Sequence, residues 1–229
     1  MTLKRASRLA ALLSFAVVVA GAGRASHEPL AGSAPPPRAG AIEGVLKVTV
    51  RPARRTASAY PARGAQAARQ VQTLPAVVYL EGAVPGAGGA AARTMAQQDT
   101  AFVPGVVVVR TGATVTFPNK DGFFHNVFSY SGPQRFDLGR YPEGESKSVT
   151  FDEPGVVKIY CEVHDFMRAA VIVSESGLHA IPGEDGRFSL TGIPAGTYTL
   201  VAWHPDLGEK KQEVQVQDGA TVRVELSLG

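Results

Sequence analysis

The chain has 229 residues, of which 45% are hydrophobic and 19% charged, a composition typical of a globular protein with one large or two small domains. Its 25 glycines and 16 prolines favour short strands and turns over long helices. The formal net charge is +3, from 23 basic and 20 acidic residues. Residues 1–22 contain three of the basic residues and no acidic one, so residues 23–229 have 20 of each. This balance argues against a general affinity for nucleic acid.

The first 22 residues have the pattern of a signal peptide. Lys4, Arg5 and Arg8 precede the apolar run 9–20, and Ala20-Gly21-Ala22 offers a cleavage site between small residues. The apolar run is too short to cross about 30 Å of hydrocarbon as a helix. We therefore expect export to the periplasm with cleavage, and no stable membrane anchor.

Two strand patterns follow a linker. Residues 23–40 are rich in proline, glycine and alanine, as in a disordered linker. Residues 44–50 alternate like a strand, and 74–80 form an apolar run. Between them, residues 51–69 contain five arginines and no acid. A basic docking patch and a solvated loop both fit this stretch; the loop is favoured because no aromatic cluster or helical period accompanies the arginines.

From Met95 onwards the pattern changes to closely spaced short strands. Turn signals such as Lys120-Asp121-Gly122 and Glu153-Pro154-Gly155 separate them. This spacing predicts an antiparallel sandwich or barrel. The strands are predicted at 106–110, 114–117, 126–129, 146–151, 156–160 and 169–173, and a last unit has further strands at 188–190, 198–203, 212–216 and 221–228.

One short segment concentrates metal-binding chemistry. Cys161, the only cysteine, lies three residues before His164 and six before Met167, directly after a predicted strand. A second imidazole, His125, ends another strand–turn segment. Two histidines, one thiolate and a methionine thioether are the ligand set of blue-copper electron-transfer sites.

Each of these residues has an ordinary alternative role. A lone cysteine is usually a small buried hydrophobe, a methionine is usually part of the core, and a histidine in a turn is usually solvated. The joint pattern favours a metal, because an exported chain with one cysteine makes no internal disulfide. Thioether and thiolate together favour one copper ion over zinc, which seldom binds a thioether, although zinc occupancy stays open.

Residues 102–173 resemble a cupredoxin, and within that family most closely amicyanin. His125-Asn126-Val127 is similar to the first ligand segment of the family, and Tyr-Cys-x-x-His-x-x-Met at 160–167 is similar to the short ligand loop of amicyanin. The resemblance implies His125 and His164 as nitrogen ligands, Cys161 as thiolate and Met167 as weak axial ligand. It also implies that Asn126 ties the two ligand loops together and that His164 is the ligand nearest solvent.

One residue departs from the amicyanin pattern. Asp165 stands where amicyanin has proline. Because a negative charge beside a ligand histidine favours Cu(II), we expect a lower reduction potential than with proline.

Residues 183–204 resemble the second half of a carboxypeptidase regulatory-like domain, a transthyretin-like sandwich that implies no peptidase. Its missing first strands are expected from 41–82, so that 41–82 and 177–229 form one discontinuous domain around a cupredoxin domain at 93–175. Asp185 and His204 are interpreted as turn and surface residues, since no partner cluster supports a catalytic or metal role. The predicted fold is all-β: a cupredoxin Greek-key β-sandwich plus a small transthyretin-like β-sandwich.

The sequence favours a periplasmic type 1 copper protein that carries single electrons between redox protein partners and is not an enzyme. A copper-binding or copper-delivery protein without an electron-transfer role is the first alternative, but the chain has no methionine- or histidine-rich tract that would favour delivery. A structural sandwich protein with a vestigial site is the second, and the presence of all four ligand types argues against it.

Overall fold

The computed structural model describes residues 38–50 and 71–229, and in these ranges the chain forms strands and no helix. Within the same ranges, no helix has the length and apolar character needed to cross a membrane. The predicted signal peptide (1–22), most of the predicted linker (23–37) and the arginine-rich segment (51–69) lie outside the described residues.

Seventeen strands make up the described part of the chain. In chain order they are β1 (Gly40–Val48), β2 (Val77–Glu81), β3 (Arg93–Thr94), β4 (Ala96–Gln98), β5 (Ala101–Val103), β6 (Val106–Arg110), β7 (Ala113–Pro118), β8 (His125–Tyr130), β9 (Arg135–Tyr141), β10 (Ser146–Phe151), β11 (Gly155–Tyr160), β12 (Arg168–Ser174), β13 (His179–Ala180), β14 (Arg187–Ile193), β15 (Gly196–His204), β16 (Gly208–Val216) and β17 (Thr221–Leu228).

These strands form four sheets and one small hairpin. Sheet 1 has the order β14-β1-β17, sheet 2 β13-β2-β15-β16, sheet 3 β6-β12-β11-β8-β9 and sheet 4 β10-β7-β3, while β4 pairs with β5. Most neighbours are antiparallel; β1 with β17, β6 with β12 and β3 with β7 are parallel. The all-β prediction is confirmed.

Three layers of buried apolar side chains hold the four sheets together. Ile42 and Leu200 belong to the layer between sheets 1 and 2, and Val115 and Val171 to the layer between sheets 3 and 4. A third layer, which includes Ile172 and Trp203, packs sheet 3 against sheet 2. The sheets are therefore stacked in the order 1 to 4, with each apolar face covered by the next sheet.

The sequence pattern of each strand reflects its place in this stack. In β6, Val106 and Val108 face sheet 2 while Val107 and Val109 face sheet 4, so four consecutive residues are apolar. Strand β2 is apolar on both faces for the same reason, since Val77 packs towards sheet 3 and Val78 towards sheet 1. Outer strands such as β17 alternate, because one face is in solvent.

Two strands that precede the cupredoxin segment pair with strands that follow it. Strand β1 lies between β14 and β17, and β2 lies between β13 and β15. The chain thus builds sheets 1 and 2 from both of its flanks, and residues 93–174 supply sheets 3 and 4 between them.

Candidate metal centre

Strand pairing brings the predicted ligand segments to one end of sheet 3. Strand β8 begins at His125, and the neighbouring antiparallel strand β11 ends at Tyr160, which pairs with Phe128. Because the strands are antiparallel, the residues that follow Tyr160 run towards the beginning of β8. Cys161 and His164 therefore reach the neighbourhood of His125 although 36 residues or more separate them in sequence.

Three donor atoms converge at this end of the sheet. His125 Nδ1 lies 3.6 Å from Cys161 Sγ and 3.1 Å from His164 Nδ1. The ligand atoms of these three residues all lie within 4.8 Å of one another. His125 and Cys161 are buried, whereas His164 is partly exposed.

The far side of the His125 ring is held by a carboxylate. His125 Nε2 lies 2.8 Å from Asp121 Oδ2, and an ionised carboxylate only accepts hydrogen bonds, so Nε2 carries the proton. In the neutral ring Nδ1 is then unprotonated and directs its lone pair towards Cys161 and His164. A hydrogen bond at the outer nitrogen is how proteins select the tautomer of a metal-binding histidine.

Asp121 is itself held ionised by the backbone. Burial alone would raise the pKa of Asp121, but hydrogen bonds from the Thr100 N–H, the His125 ring and the Asp99 N–H together lower it. The two N–H groups lie 2.7 and 2.9 Å from the carboxylate oxygens, at the turn between β4 and β5. Asp99 and Thr100 both have positive φ, 55° and 57°, which a β-branched threonine rarely adopts. The turn thus keeps a strained conformation in which both N–H groups point at Asp121.

Asn126 links the two ligand segments. Its Oδ1 accepts a 2.7 Å hydrogen bond from the backbone N–H of Glu162, the residue after Cys161. The side-chain amide also donates to Asp137 at 3.4 Å. A single buried side chain therefore joins the strand that begins with His125 to the loop that begins with Cys161.

The fourth candidate ligand, Met167, is buried beside the cluster. It is fully inaccessible to solvent and belongs to the same apolar core as Cys161. Its backbone N–H donates to the His164 carbonyl at 2.9 Å, which closes the loop from Cys161 to Met167 into a turn. The structure thus keeps the cysteine and the methionine within one compact loop.

The donor set and its spacing fit one soft metal ion. A metal–nitrogen bond of about 2.0 Å and a metal–sulfur bond of about 2.3 Å, meeting at about 110°, put nitrogen and sulfur about 3.5 Å apart. The observed nitrogen–sulfur distance is 3.6 Å. The Nδ1 atoms of His125 and His164 lie 3.1 Å apart, close enough for both to bind one shared cation. Thiolate and thioether beside imidazole favour copper over harder ions.

Apolar side chains surround the exposed edge of the cluster. Phe123 and Phe124 are 45% and 54% exposed, and Val163 in the ligand loop is also exposed. The Phe123 ring lies 5.1 Å from the His125 ring and 5.3 Å from the His164 ring, centroid to centroid. Phe123, Phe124 and Val163, here called the apolar rim, are exposed apolar residues that lie within two positions of His125 or His164 in the sequence.

The structure brings together His125, Cys161 and His164 and places Asn126 and Met167 beside them. The sequence pattern indicates Asp121 only as a turn residue, and its contact with the His125 ring depends on a loop conformation that no local pattern indicates. The expected surface role of His204 is wrong, because this residue is 8% exposed and its Nδ1 accepts the Asp206 N–H at 3.2 Å. Burial accordingly lowers the pKa of His204.

Two family models match the chain. Residues 90–174 match the copper-binding proteins of the plastocyanin/azurin family, and residues 166–229 match the carboxypeptidase regulatory-like domain. The first match contains all of sheets 3 and 4, and the second contains the strands from β12 to β17.

Known plastocyanins are similar in sequence. The plastocyanin of Solanum crispum is 38% identical over 77 residues, which cover 28% of this chain and 76% of that protein. The chloroplastic plastocyanin of Physcomitrium patens is 38% identical over 84 residues, 32% of this chain and 50% of that protein. The chain spans about half the length of the chloroplastic plastocyanins it matches.

Solved cupredoxin structures are also similar. The purple cupredoxin from Nitrosopumilus maritimus is 26% identical with a TM-score of 0.33, covering 36% of this chain and 99% of that one. A reduced Cu(I) form of an amicyanin variant is 23% identical with a TM-score of 0.35, covering 42% and 98%. A copper-containing nitrite reductase from Thermus scotoductus SA-01 is 28% identical with a TM-score of 0.35, covering 36% and 22%.

The family match and the donor cluster together confirm copper as the cofactor. Sheets 3 and 4 carry this cluster, and sheets 1 and 2 include the second matched domain. The chain belongs to the copper-binding plastocyanin/azurin family of cupredoxins and combines that domain with a carboxypeptidase regulatory-like β-sandwich.

Proposed function

We propose that the protein is an exported, periplasmic carrier of single electrons that holds one copper ion through His125, Cys161, His164 and Met167. The observation that carries this proposal is the convergence of two imidazole nitrogens and one cysteine sulfur within 4.8 Å. The bound ion supplies the Cu(II)/Cu(I) couple. The chain's own residues hold the donors, exclude water from most of the site and leave one route to the surface.

Rigid support of the donor atoms suits electron transfer. When the donors move little between oxidation states, the reorganisation energy of electron transfer stays low. His125 is fixed by Asp121 on one side, and the ligand loop is fixed by Asn126 and by the turn at His164 and Met167. Cys161 and Met167 lie within the apolar core. These contacts are made between groups of the protein itself.

The apolar rim supports a docking role. His164 is the one partly exposed residue of the donor cluster, and Phe123, Phe124 and Val163 around it are exposed. Redox proteins meet through small contact areas, below about 1,200 Å² in total. We therefore assign the rim to a redox protein partner and the His164 edge to the passage of the electron.

Export is supported by the signal-peptide pattern of residues 1–22. A blue-copper site also needs its thiolate free for the metal, and a chain with a single cysteine forms no internal disulfide in an oxidising compartment. One mononuclear site transfers single electrons, so the proposal includes no substrate turnover.

The test of copper ligation is the visible spectrum of the purified protein after addition of Cu(II). We expect intense thiolate-to-copper absorption at about 600 nm that disappears in Cys161→Ser and weakens or shifts in His164→Ala. His179→Ala is the matched control, since His179 lies in β13 outside the cluster, and should leave the band intact. A protein without the band, or a band that survives in Cys161→Ser, would overturn the proposal.

A second experiment separates a carrier from a copper-delivery protein. The copper-loaded protein is reduced with ascorbate and reoxidised with hexacyanoferrate(III) through several cycles, with and without a Cu(I) chelator. A carrier takes up one electron per protein in each cycle and keeps its copper. Loss of the ion to the chelator at the first reduction would instead indicate delivery.

A further inference from the structure

The two residues that flank Met167 are held by a segment outside the cupredoxin sheets. The Gln72 N–H donates to the Phe166 carbonyl at 2.9 Å, and Arg168 Nε donates to the Gln72 carbonyl at 2.8 Å. Gln72 lies in the segment that leads into β2 of sheet 2. One residue of the segment that leads into sheet 2 therefore pairs with the backbone before Met167 and with the side chain after it.

Arg168 makes a second contact with that sandwich. Its two terminal nitrogens donate to the two carboxylate oxygens of Asp206 at 2.7 and 3.1 Å, in the turn between β15 and β16. Such a two-pronged pair restricts orientation as well as distance. The Asp206 N–H in turn donates to the buried ring of His204, which holds the turn that carries the carboxylate.

Gln72 is itself fixed rather than loosely docked. Its side-chain amide donates to the Phe102 carbonyl at 2.7 Å and accepts from the Phe102 N–H at 3.0 Å, as a neighbouring strand would. Phe102 is buried in the same apolar core as Met167. The side chain of Gln72 thus binds the backbone of the core residue Phe102, while its own backbone binds Phe166 and Arg168 on either side of Met167.

The sandwich that carries Asp206 packs on the cupredoxin domain through buried apolar side chains. Ala170 and Ile172 of β12 pack against Val201 and Trp203 of β15, all fully or nearly fully buried. Strand β12 begins at Arg168, so this apolar contact continues directly into the ion pair with Asp206. The two sandwiches are therefore packed together along the strand that follows Met167.

We propose that the carboxypeptidase regulatory-like sandwich positions the copper-binding loop, with Asp206 and Gln72 as positioning residues that set where Met167 lies relative to Cys161 and His164. The proposal rests on the proposed copper site. An axial thioether is a long, weak ligand that tunes the reduction potential of such sites, so the bond itself does little to fix its own position. Contacts made by the protein on both sides of Met167 supply that constraint.

The test compares Asp206→Asn with the wild-type full-length protein. Asp185→Asn is the matched control, because it weakens an exposed ion pair with Arg187 in the same sandwich. We expect Asp206→Asn to change the reduction potential and the relative intensities of the visible bands. In metal-free Asp206→Asn, the amide hydrogen of Met167 should exchange about fivefold faster than in the metal-free wild type. The reason is that the turn from His164 to Met167 loses the ion pair between Arg168 and Asp206, whose strength is that of an ordinary surface pair.

The outcomes separate this proposal from the proposed function. If wild-type protein shows no thiolate-to-copper band, the copper proposal fails, and the exchange measurement on metal-free protein still reports on the positioning role. If Asp206→Asn matches both wild type and Asp185→Asn in potential, bands and exchange, the positioning role is overturned. If Asp206→Asn does not fold, Gln72→Ala and Arg168→Lys are used instead, because each removes only part of the contacts around Met167. The reduction potential, the visible bands and the hydrogen exchange of the Met167 amide are then compared in the same way.

Discussion

The side-chain oxygen of Asn126 accepts a 2.7 Å hydrogen bond from the backbone N–H of Glu162, and this contact joins the two segments that carry the donor atoms. Asn126 follows His125 directly, and Glu162 follows Cys161 directly. The bond is almost completely buried on the asparagine side. It therefore couples the position of the histidine to that of the cysteine.

Replacement of Asn126 by alanine is expected to loosen this coupling. The Glu162 N–H loses its partner, which costs about 1 kcal/mol in the free energy of unfolding. We also expect faster loss of copper to a chelator, because the two ligand segments then move independently. Chemical denaturation and a chelator-competition time course measure the two effects. Asp137→Asn is the control and should change both quantities less, because it alters only the weaker 3.4 Å contact of Asn126 and keeps a side-chain oxygen that can accept the Gly139 N–H.

Replacement of Asp121 by asparagine should weaken copper binding. The carboxylate accepts the proton of His125 Nε2 and two backbone N–H groups, and a neutral amide does not reproduce that arrangement. Loss of such a partner typically costs about 10–100-fold in metal affinity. Removal of the negative charge also raises the reduction potential.

Competition with a Cu(I) chelator and voltammetry test this expectation. Asp218→Asn provides the control, because Asp218 also accepts a backbone N–H, from Arg38, but in the turn between β16 and β17. Equal affinity and potential in Asp121→Asn and Asp218→Asn would contradict a role for Asp121 at the metal centre.

Much of the fold follows from local patterns. Strands β6, β10 and β17 have the boundaries predicted from the sequence, because apolar runs or alternation end at clear turn signals. The sequence pattern does not predict β9, because its residues include Gly139 with positive φ and several charges, and its ladder with β8 is irregular. The β4–β5 hairpin was missed because its turn, Asp99-Thr100, has positive φ without a glycine.

The site was predictable where its residues are close in sequence. Cys161, His164 and Met167 lie in one loop, so their spacing alone indicates shared chemistry. Gln72 and Asp206 lie far from that loop in the chain, and nothing in their local sequence distinguishes them from ordinary linker and turn residues. The contacts of Gln72 with Phe102, Phe166 and Arg168, and that of Asp206 with Arg168, join residues far apart in the chain, which a single sequence does not reveal.

The charge of Asp165 is expected to lower the reduction potential. Asp165 is exposed and directly follows His164, so its negative charge stabilises Cu(II) relative to Cu(I). Both Asp165→Asn and Asp165→Pro should raise the potential, and the rise in Asp165→Asn should shrink with added salt, since the Debye length is about 10 Å at 0.1 M.

Voltammetry at two ionic strengths measures the Asp165 effect. Asp152→Asn is the control: Asp152 is also exposed, but it precedes the start of β11, and the six residues of that strand span about 17 Å before Cys161 follows. A potential in Asp165→Pro equal to or below that of the wild type would contradict the expectation.

The ion pair between Arg168 and Asp206 predicts a loss of stability in acid. The hydrogen bond from Arg168 lowers the pKa of Asp206, with further lowering from the charges of Arg168, His204 and Lys158. The unfolded chain binds this proton at about pH 3.9, and the folded chain only at lower pH. The pair therefore stabilises the folded state above about pH 3.9, and its contribution disappears as the pH falls through the lower folded value.

Comparison of wild type with Asp206→Asn by chemical denaturation between pH 7 and pH 3 isolates this contribution. Because Asp206 is 46% exposed, we expect a difference of about 1 kcal/mol in the free energy of unfolding at pH 7. Protonation of the buried His204 lowers the stability of both proteins in acid, so most of that effect cancels in the difference. A difference that stays constant down to pH 3 would show that the asparagine acts through packing and not through loss of the ion pair.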